Sequence, residues 1–414
     1  MARFYFRCHE CGEDFPEDPN RLVCSACSGH QETGGTVRGV LEVVIRDLPT
    51  VWPHFRASDP EFLQAFLPIQ DVTSLPALPV GDTPLLRASG LGRALGMPGL
   101  LLKDDTRNPS GSTKDRASLL VVAKAIEYGC DTVATASTGN AASALSALAA
   151  AAGLRAVVMV PAAAPAGKLA QMLSYGATVL PVDGSYDDAF ELCTAACYRF
   201  GWYNRSTALN PFTIEGKKTA ALEIAAALPD GGFDALIVPT GDGVILSGLA
   251  KGFRDLEAAG LISRRPRLIA VQPEGSPAIV RALEADTPDA APAFGASSVA
   301  DSLVVDAPRN ARTCLAEIRS SGGGGVMVSD EEILRAIPRL AGATGVFAEP
   351  AAAASLPGLE RALEQGLVDR DERVVLMISG SGLKDVAAAS KAVALREPIA
   401  PSLEAVEEAM RSES

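Results

Sequence analysis

Histidine is scarce in this 414-residue chain. It has three, His9, His30 and His54, and all of them lie near the amino terminus. The rest of the chain therefore cannot build a Ser-His-Asp triad or a histidine-ligated catalytic metal without residues from that end. An enzyme built on the main body has to use lysine, carboxylates, hydroxyl groups or a cofactor for its chemistry.

Basic residues are fewer than acidic ones, 37 against 50, and long apolar runs are missing. The formal net charge is −13 and the isoelectric point is about 4.9, which argues against nucleic acid or an anionic membrane surface as a partner. The sequence shows neither a twenty-residue apolar span nor an apolar amino-terminal stretch, and from this we expect a cytoplasmic protein with no membrane contact. The length allows two interlocked domains with full cores.

Four of the eight cysteines form two pairs near the amino terminus, Cys8 with Cys11 and Cys24 with Cys27. Two C-x2-C pairs place four thiolates around one Zn²⁺, and in a reducing compartment a metal is favoured over disulfides. The zinc is expected to be structural, because four cysteine ligands leave no open coordination position. A redox-active pair, or a site that has lost its metal, is the alternative.

One lysine stands out in the stretch from Asn108 to Arg116. An apolar run at 99–103 predicts a buried strand before it, and the run at 117–126 predicts a helix after it. Lys114 is thereby placed in the first turn of a helix, where the helix dipole repels a cation. That repulsion lowers the pKa of the amine and keeps a nucleophilic neutral form available. A surface lysine in a loop is the alternative.

The same stretch resembles the N-P-[ST]-G-S-F-K-D-R segment of threonine synthases, which are tryptophan-synthase-β-like (fold type II) pyridoxal-phosphate enzymes. In that family the lysine carries pyridoxal 5′-phosphate as a Schiff base, and the resemblance implies this role for Lys114. It also implies an α/β fold: two doubly wound open-sheet domains with the cofactor between them, plus a zinc-ribbon-like amino-terminal segment. Thr113 stands where the family has phenylalanine.

The expected domain boundaries follow from this resemblance and from the order of predicted elements. A zinc-ribbon-like segment covers 1–45, a large cofactor domain covers 46–125 and 205–400, a small domain covers 126–204, and an acidic tail covers 401–414. The partners expected are a small-molecule amino-acid substrate and a second copy of the chain in a homodimer.

A second loop follows the predicted strand at 132–136 and consists of Ser137, Thr138, Gly139 and Asn140. Taken alone it is an ordinary helix N-cap. It resembles the family's [ST]-[ST]-G-N-x-[AG] loop, which implies that Ser137, Thr138 and Gly139 bind the substrate carboxylate. The resemblance also implies that Asn140 lies against the 3′-oxygen of the cofactor.

A third, glycine-rich loop follows the strand at 234–239 and contains Gly241, Asp242, Gly243, Val244 and Ile245. Backbone amides at such a helix start converge on a phosphate, so these five residues are predicted to hold the cofactor phosphate. The family loop is closer to G-N-x-G-N, and the Asp242 carboxylate has to point away from a phosphate dianion. The other glycine run, 322–325, is interpreted as a flexible turn before a strand.

A fourth loop, 379–385, follows the predicted core strand at 373–378 and resembles the family's T-G-x-G-L-K-D. The resemblance implies that the Ser379 hydroxyl meets the pyridine nitrogen of the cofactor. A neutral hydroxyl does not hold that nitrogen protonated, which favours elimination and replacement chemistry.

The segment 210–219 is close to the family's N-P-x-R-x-E-G-x-K-T, but Thr213 replaces the arginine. A guanidinium grips phosphate bidentately, so this change bears on the substrate. The leading hypothesis is a threonine synthase that converts O-phospho-L-homoserine and water to L-threonine and phosphate, with Arg116, Lys168 and Lys384 as candidate cations for the substrate.

Two other interpretations remain open. One is β-elimination or β-replacement on a serine-type amino acid, as in a threonine/serine dehydratase or a cysteate-synthase-like enzyme. The other is a catalytically idle homologue, against which the intact Lys114, Asn140 and Ser379 argue.

Overall fold

The computed structural model describes residues 3–31, 35–54, 56–164, 166–228, 232–292, 295–394 and 396–411, without the side chains of 166–168. The strands, numbered along the chain, are β1 (Phe4–Cys8), β2 (Asp14–Phe15), β3 (Leu41–Ile45), β4 (Leu85–Arg87), β5 (Leu101–Asp104), β6 (Thr132–Ala136), β7 (Arg155–Pro161), β8 (Thr178–Val182), β9 (Tyr203–Asn204), β10 (Ala235–Pro239), β11 (Arg267–Pro273), β12 (Gly324–Val328) and β13 (Val374–Ile378). The helices are α1 (Ser25–Ser28), α2 (Pro60–Phe66), α3 (Ser89–Leu95), α4 (Lys114–Glu127), α5 (Asn140–Ala152), α6 (Ala166–Ser174), α7 (Tyr186–Phe200), α8 (Phe212–Lys217), α9 (Thr219–Ala226), α10 (Val244–Ala258), α11 (Ala278–Glu284), α12 (Ala311–Ser320), α13 (Asp330–Thr344), α14 (Pro350–Ala353), α15 (Ser355–Glu364), α16 (Val386–Ala389) and α17 (Leu403–Arg411).

Two sheets, one mainly parallel and one fully parallel, form the body of the molecule. The larger has the order β12-β11-β10-β13-β5-β4, in which the edge strand β4 alone runs antiparallel to its neighbour. The smaller has the order β8-β7-β6-β9 and is parallel throughout. Strands such as β10 and β13 are buried along their whole length because both faces of the sheet are covered. This burial explains their continuous apolar sequences.

Helices cover both faces of the larger sheet, as the alternation along β10 shows. Leu236 and Val238 pack on the side of α9, α10 and α12, while Ile237 faces α13 and α15. The smaller sheet is covered by α4 and α5 on one face and by α7 on the other. These layers agree with the predicted doubly wound architecture. The exact domain boundaries stay a prediction.

The amino-terminal segment forms a third sheet of antiparallel strands in the order β2-β1-β3. Phe4 and Phe6 on β1 contact the ring of Phe212 on α8, with centroids 5.8 and 5.7 Å apart. The cysteine-bearing segment is therefore packed on the body of the molecule at the helix that carries Thr213.

The interpretation of 322–325 as a flexible turn is partly wrong, because Gly324 and Gly325 lie inside β12. A Cβ atom on Gly325 would come within 2.9 Å of Leu283 Cδ1, and one on Gly323 within 2.0 Å of the Leu268 carbonyl oxygen. Glycine is required here for close packing of β12, which periodicity alone does not reveal. Within the acidic tail, Leu403–Arg411 form the exposed helix α17.

Candidate active site

A cavity of about 510 Å³ opens where β5, β6 and β13 end, and the loops that follow these strands line it. Ligands of open parallel sheets bind beyond the carboxyl ends of the strands. A larger cleft of about 1100 Å³, lined by Leu101, Asp234 and Arg373, lies at or before the first residues of β5, β10 and β13. The smaller cavity is therefore the candidate active site.

Lys114 is the first residue of α4, as predicted. The loop before it is held in place by the conformation of Gly111 and by two backbone hydrogen bonds. Gly111 adopts φ +85°, in the left-handed region that favours glycine. The Thr113 N–H donates to the Ser379 carbonyl oxygen over 2.8 Å, and the Ser381 N–H donates to the Gly111 carbonyl oxygen over 2.9 Å. These backbone bonds join the lysine loop to the Ser379 loop.

The Lys114 amine is half-buried, and no described side chain accepts a hydrogen bond from it. Burial lowers the pKa of Lys114, the charges of Asp242 and Glu349 partly offset this, and the Arg205 cation lowers the pKa further. The amine is thus shifted toward the neutral, nucleophilic form that the sequence predicted.

The loop of Ser137 to Asn140 lies at the start of α5, and Thr138, Gly139 and Asn140 line the cavity. The Gly139 N–H donates to Ser137 Oγ over 3.2 Å, and the space around Gly139 is open, with no other atom within 4 Å of where a Cβ would lie. A helix N-terminus with open approach suits an anion. Carboxylate binding by Ser137, Thr138 and Gly139 stays a prediction.

Asn140 is held by Glu349, a residue that the sequence reasoning missed. The amide Nδ2 of Asn140 donates to both carboxylate oxygens of Glu349, over 2.9 and 3.1 Å. Burial raises the pKa of Glu349, against the lowering effects of the Asn140 bond and of the Lys114 cation. A buried acid in the cavity beside the lysine is a further candidate for site chemistry. The Glu349-Pro350 pair at the start of α14 was the available signal in the sequence.

The glycine-rich loop differs from the expectation in one respect. Gly243 has φ +89°, and a Cβ there would lie 2.7 Å from Cys314 Cβ, so the loop requires glycine. Val244 and Ile245 are buried in the core and offer only their backbone to a ligand. Asp242 does not point away from the helix start: its Oδ1 accepts the Val244 N–H over 3.0 Å. The carboxylate therefore shares the helix N-terminus at which the phosphate was predicted.

Ser379 is buried at the end of β13, and its carbonyl oxygen is the acceptor for Thr113 described above. Lys384, later in the same loop, lines the cavity, and its Nζ donates to Ser143 Oγ over 2.8 Å and to Gln171 Oε1. Burial lowers the pKa of Lys384. Lys168 belongs to α6, but its side chain lies outside the described residues.

Arg116 is the prediction that the structure does not support. Its guanidinium is 1% exposed and donates to Asp105, to Glu223 and to the hydroxyls of Thr83 and Thr219. Glu223 also pairs with Lys103 at 2.6 Å. The Arg116 guanidinium is enclosed in this network and is not among the residues that line the cavity, so it is not available to a substrate phosphate. It ties α4 to α9.

Two further cations near Lys114 were also missed, Arg205 after β9 and Lys217 at the end of α8. Both are buried. The Arg205 cation lowers the pKa values of Lys114 and Lys217, and Lys114 also lowers the pKa of Lys217. The position of Arg205 at the carboxyl end of a strand, and the spacing of Lys217 from Thr213, were the signals that could have found them.

The four cysteines come together as predicted, with their sulfur atoms all within 4.8 Å of one another. The Sγ atoms of Cys8 and Cys27 are 3.8 Å apart, and so are those of Cys11 and Cys24. Tetrahedral Zn–S bonds of about 2.3 Å place sulfur atoms about 3.8 Å apart. The cluster has the geometry of a four-cysteine metal site.

Comparison with known proteins gives a consistent result. The family described as "Pyridoxal-phosphate dependent enzyme" matches residues 77–380. A threonine synthase of Methanocaldococcus jannaschii is 36% identical over 399 residues, 95% of each chain. A threonine synthase of Methanosarcina acetivorans is 35% identical over 388 residues, 92% of each chain.

Solved structures support the same fold. The processed form of threonine deaminase isoform 2 from Solanum lycopersicum aligns with a TM-score of 0.66 at 20% identity, covering 84% of this chain and 97% of that one. A fungal L-serine ammonia-lyase from Rhizomucor miehei aligns with a TM-score of 0.64 at 22% identity, covering 75% of this chain and 96% of that one. The predicted α/β fold of type II pyridoxal-phosphate enzymes is confirmed. In the described part of the chain, no helix has both the length and the apolar character to cross a membrane.

Proposed function

The chain belongs to the threonine synthase family of pyridoxal-phosphate dependent enzymes and is a carbon–oxygen lyase, and we propose the residues that carry out its reaction. The reaction converts O-phospho-L-homoserine and water to L-threonine and phosphate. The observation that carries the residue assignment is the convergence of three loops, those of Lys114, Asn140 and Ser379, on one cavity at the carboxyl ends of the strands.

The residues present fit pyridoxal 5′-phosphate. Lys114 supplies an amine with a lowered pKa and no described hydrogen-bond acceptor. The start of α10 supplies backbone N–H donors for a phosphate beyond the Val244 N–H, which Asp242 engages. Ser379 and Asn140 supply neutral polar groups for the ring. When bound, the cofactor supplies an electron-withdrawing ring that stabilises negative charge at the substrate Cα.

Lys114 is the proposed acid and base. Its neutral amine removes the proton from the substrate Cα, and the resulting ammonium group returns a proton later in the cycle. Lys114 keeps access to this neutral form because burial and the Arg205 cation lower its pKa. Glu349 positions the amide of Asn140, and the loop of Ser137 to Gly139 binds and orients the substrate carboxylate.

Lys384 and Lys168 stay candidates for cations that act on the substrate. Lys384 lies in the cavity wall beside Ser143 and Gln171, within the same loop as Ser379. β-Elimination or β-replacement on a serine-type amino acid is the alternative that Thr213 keeps open. Its hydroxyl donates to the Asn210 carbonyl oxygen over 2.8 Å, and the side chain offers no charge to a substrate phosphate.

A substrate panel tests the function against the alternative. Purified enzyme loaded with cofactor is supplied separately with O-phospho-L-homoserine, L-serine, L-threonine and O-phospho-L-serine, and phosphate, threonine and ketoacid are measured. We expect phosphate and threonine from phosphohomoserine at a kcat/KM well above that for any ketoacid product. Ketoacid or a β-substituted product from a serine-type substrate, with no phosphate from phosphohomoserine, would establish β-elimination or β-replacement as the reaction instead.

We propose that the cysteine cluster holds one structural zinc per chain. Metal analysis of the purified protein should give one zinc, and the Cys8→Ser/Cys24→Ser double variant should lose it. The double variant should unfold at a lower temperature, because the sheet that carries the site is packed on α8, yet retain most of its turnover below that temperature. Cys130→Ser is the matched control with zinc unchanged. Zinc retained in the double variant, or no metal in the wild type, would contradict the assignment.

We propose a cytoplasmic location, where a reducing environment keeps cysteine thiolates available as zinc ligands. We also propose a homodimer, which light scattering of the purified protein tests directly.

A further inference from the structure

Helix α8 carries a buried lysine to which the function described above gives no role. Lys217 is 1% exposed, and no residue in the described part of the chain accepts a hydrogen bond from its amine or pairs with it. Its Cβ packs against Gly248 on α10, while the preceding Gly216 packs on the backbone of Arg116 on α4. α8 is thus wedged between the helix that carries Lys114 and the helix that starts at the glycine-rich loop.

Arg205 is the second such cation. It follows β9 at the carboxyl end of the smaller sheet and is fully buried. Its Nε donates to Ser118 Oγ over 3.2 Å and its Nη1 to Thr207 Oγ1 over 2.9 Å, but its Nη2 has no partner among the described residues. Burial lowers the pKa of Arg205 to about 10.

The electrostatics link these two cations to Lys114 and to one carboxylate, Asp242. The charges that lower the pKa of Lys217 beyond the effect of burial are Lys114 and Arg205, and Asp242 is the carboxylate that opposes them. The Asp242 carboxylate also raises the pKa values of Lys114 and Arg205, against the larger lowering effect of burial. Burial and these like charges disfavour the charged form of Lys217. A dianion bound beside Lys217 and Arg205 would favour the protonated amine and would pair with the Arg205 Nη2 that has no partner among the described residues.

The spacing of Thr213 and Lys217 on α8 indicates that the dianion is a phosphoryl group of the substrate. Lys217 lies four residues after Thr213, and side chains at i and i+4 share one face of a helix. Thr213 occupies the position at which the family carries an arginine suited to phosphate. Lys217 therefore brings a cation to the same face of the helix from one turn further along.

We propose that Arg205 and Lys217 bind the phosphoryl group that leaves from the substrate, in place of the arginine missing at Thr213; this rests on the proposed function. A phosphoryl group carries about −1.5 to −2 charges at neutral pH, which two cations balance. The cofactor's own phosphate has separate donors at the start of α10. Arg205 comes from the smaller sheet, whose strand β6 ends in the loop of Ser137 to Asn140, on the side assigned to the substrate.

Lys217→Met tests this in the enzyme loaded with cofactor. Inorganic phosphate, the product, should inhibit the variant about 10- to 100-fold more weakly than it inhibits the wild type, and KM for phosphohomoserine should rise by a similar factor. Bound cofactor, measured by its visible absorption, should be unchanged. The unfolding temperature should not fall, because a buried amine without a hydrogen-bond partner is replaced by an apolar side chain of similar length.

Two further variants sharpen the test. In the Lys217→Met background, Thr213→Arg should recover at least part of the phosphate inhibition, because it restores a cation on the same face of α8. Lys218→Met is the matched control: Lys218 pairs with Glu215 and Asp255, so its loss should lower the unfolding temperature and leave phosphate inhibition unchanged.

Unchanged phosphate inhibition in Lys217→Met would overturn the proposal while leaving the proposed function intact. Loss of bound cofactor in Lys217→Met would also overturn it, because it would assign the pair to the cofactor's phosphate. A wild type that neither turns over phosphohomoserine nor is inhibited by phosphate would overturn the function itself.

Discussion

Replacing Lys114 with alanine should abolish covalent attachment of the cofactor and lower kcat by at least about 10²–10⁴-fold, the range expected from loss of a general acid–base alone. The variant should fold normally. The lysine amine has no described hydrogen-bond partner, so its removal is expected to change the free energy of unfolding by no more than about 1 kcal/mol. Borohydride reduction followed by mass analysis of the chain measures the attachment directly.

Lys391→Ala is the control for that experiment, because Lys391 is an exposed lysine in the last turn before the carboxyl-terminal segment. It should keep full cofactor attachment and turnover. A reducible, covalently bound cofactor and near-normal turnover in Lys114→Ala would show that another lysine carries the cofactor, and Lys217 would then be the first to examine.

Replacing Arg116 with leucine should destabilise the protein by about 3–5 kcal/mol, because it leaves the buried carboxylates Asp105 and Glu223 without their main partner. Denaturant unfolding measures the change. Arg116→Lys should fall between wild type and Arg116→Leu, because an ammonium group cannot reproduce the fork of bonds that the guanidinium makes. Below its unfolding temperature, the leucine variant should keep the KM for phosphohomoserine within about 3-fold, since Arg116 is enclosed in its ion pairs and does not line the cavity.

The pH dependence supplies a second readout for Arg116. Burial opposes ionisation of Glu223, but the Arg116 and Lys103 cations hold its pKa down to about 2. Its ionised form therefore stabilises the wild-type fold above the unfolded pKa of about 4.3, and this contribution is lost as the pH falls toward 2. Without Arg116 the pKa of Glu223 rises, so the stability gap between variant and wild type should narrow from about pH 8 to about pH 5. A gap that is constant over this range, or a large rise in KM, would contradict the structural role.

The sequence allowed the loops at the strand ends to be predicted, and the structure shows why. Each of Lys114, Asn140, Gly243 and Ser379 follows an apolar run and precedes a helix or turn, a pattern that strand and helix periodicity make visible. Parallel strands bring their carboxyl ends to one edge, which places the loops of Lys114, Gly243 and Ser379 at the same edge of the larger sheet. Asn140 follows β6 of the smaller sheet, so its place beside Glu349 depends on how the two sheets pack together and does not follow from strand order. Their roles came from resemblance and stay predictions.

Residues whose importance depends on burial could not be found in the same way. Glu349 and Lys217 look like ordinary surface charges in the sequence, and only packing shows that each is enclosed beside Lys114. Arg116 was misjudged in the opposite direction: it is the last residue of the recognised lysine motif, yet its side chain lies in a buried ion-pair network and not in the cavity wall.

Isotope labelling tests the central claim most directly. The enzyme is incubated with O-phospho-L-homoserine in H₂¹⁸O, and the masses of threonine and phosphate are measured. Because the carbon–oxygen bond at Cγ breaks and water adds at Cβ, threonine should carry one ¹⁸O in its hydroxyl. Phosphate should be unlabelled and formed in equal amount. Unlabelled homoserine together with ¹⁸O-labelled phosphate, or no phosphate at all, would contradict the account.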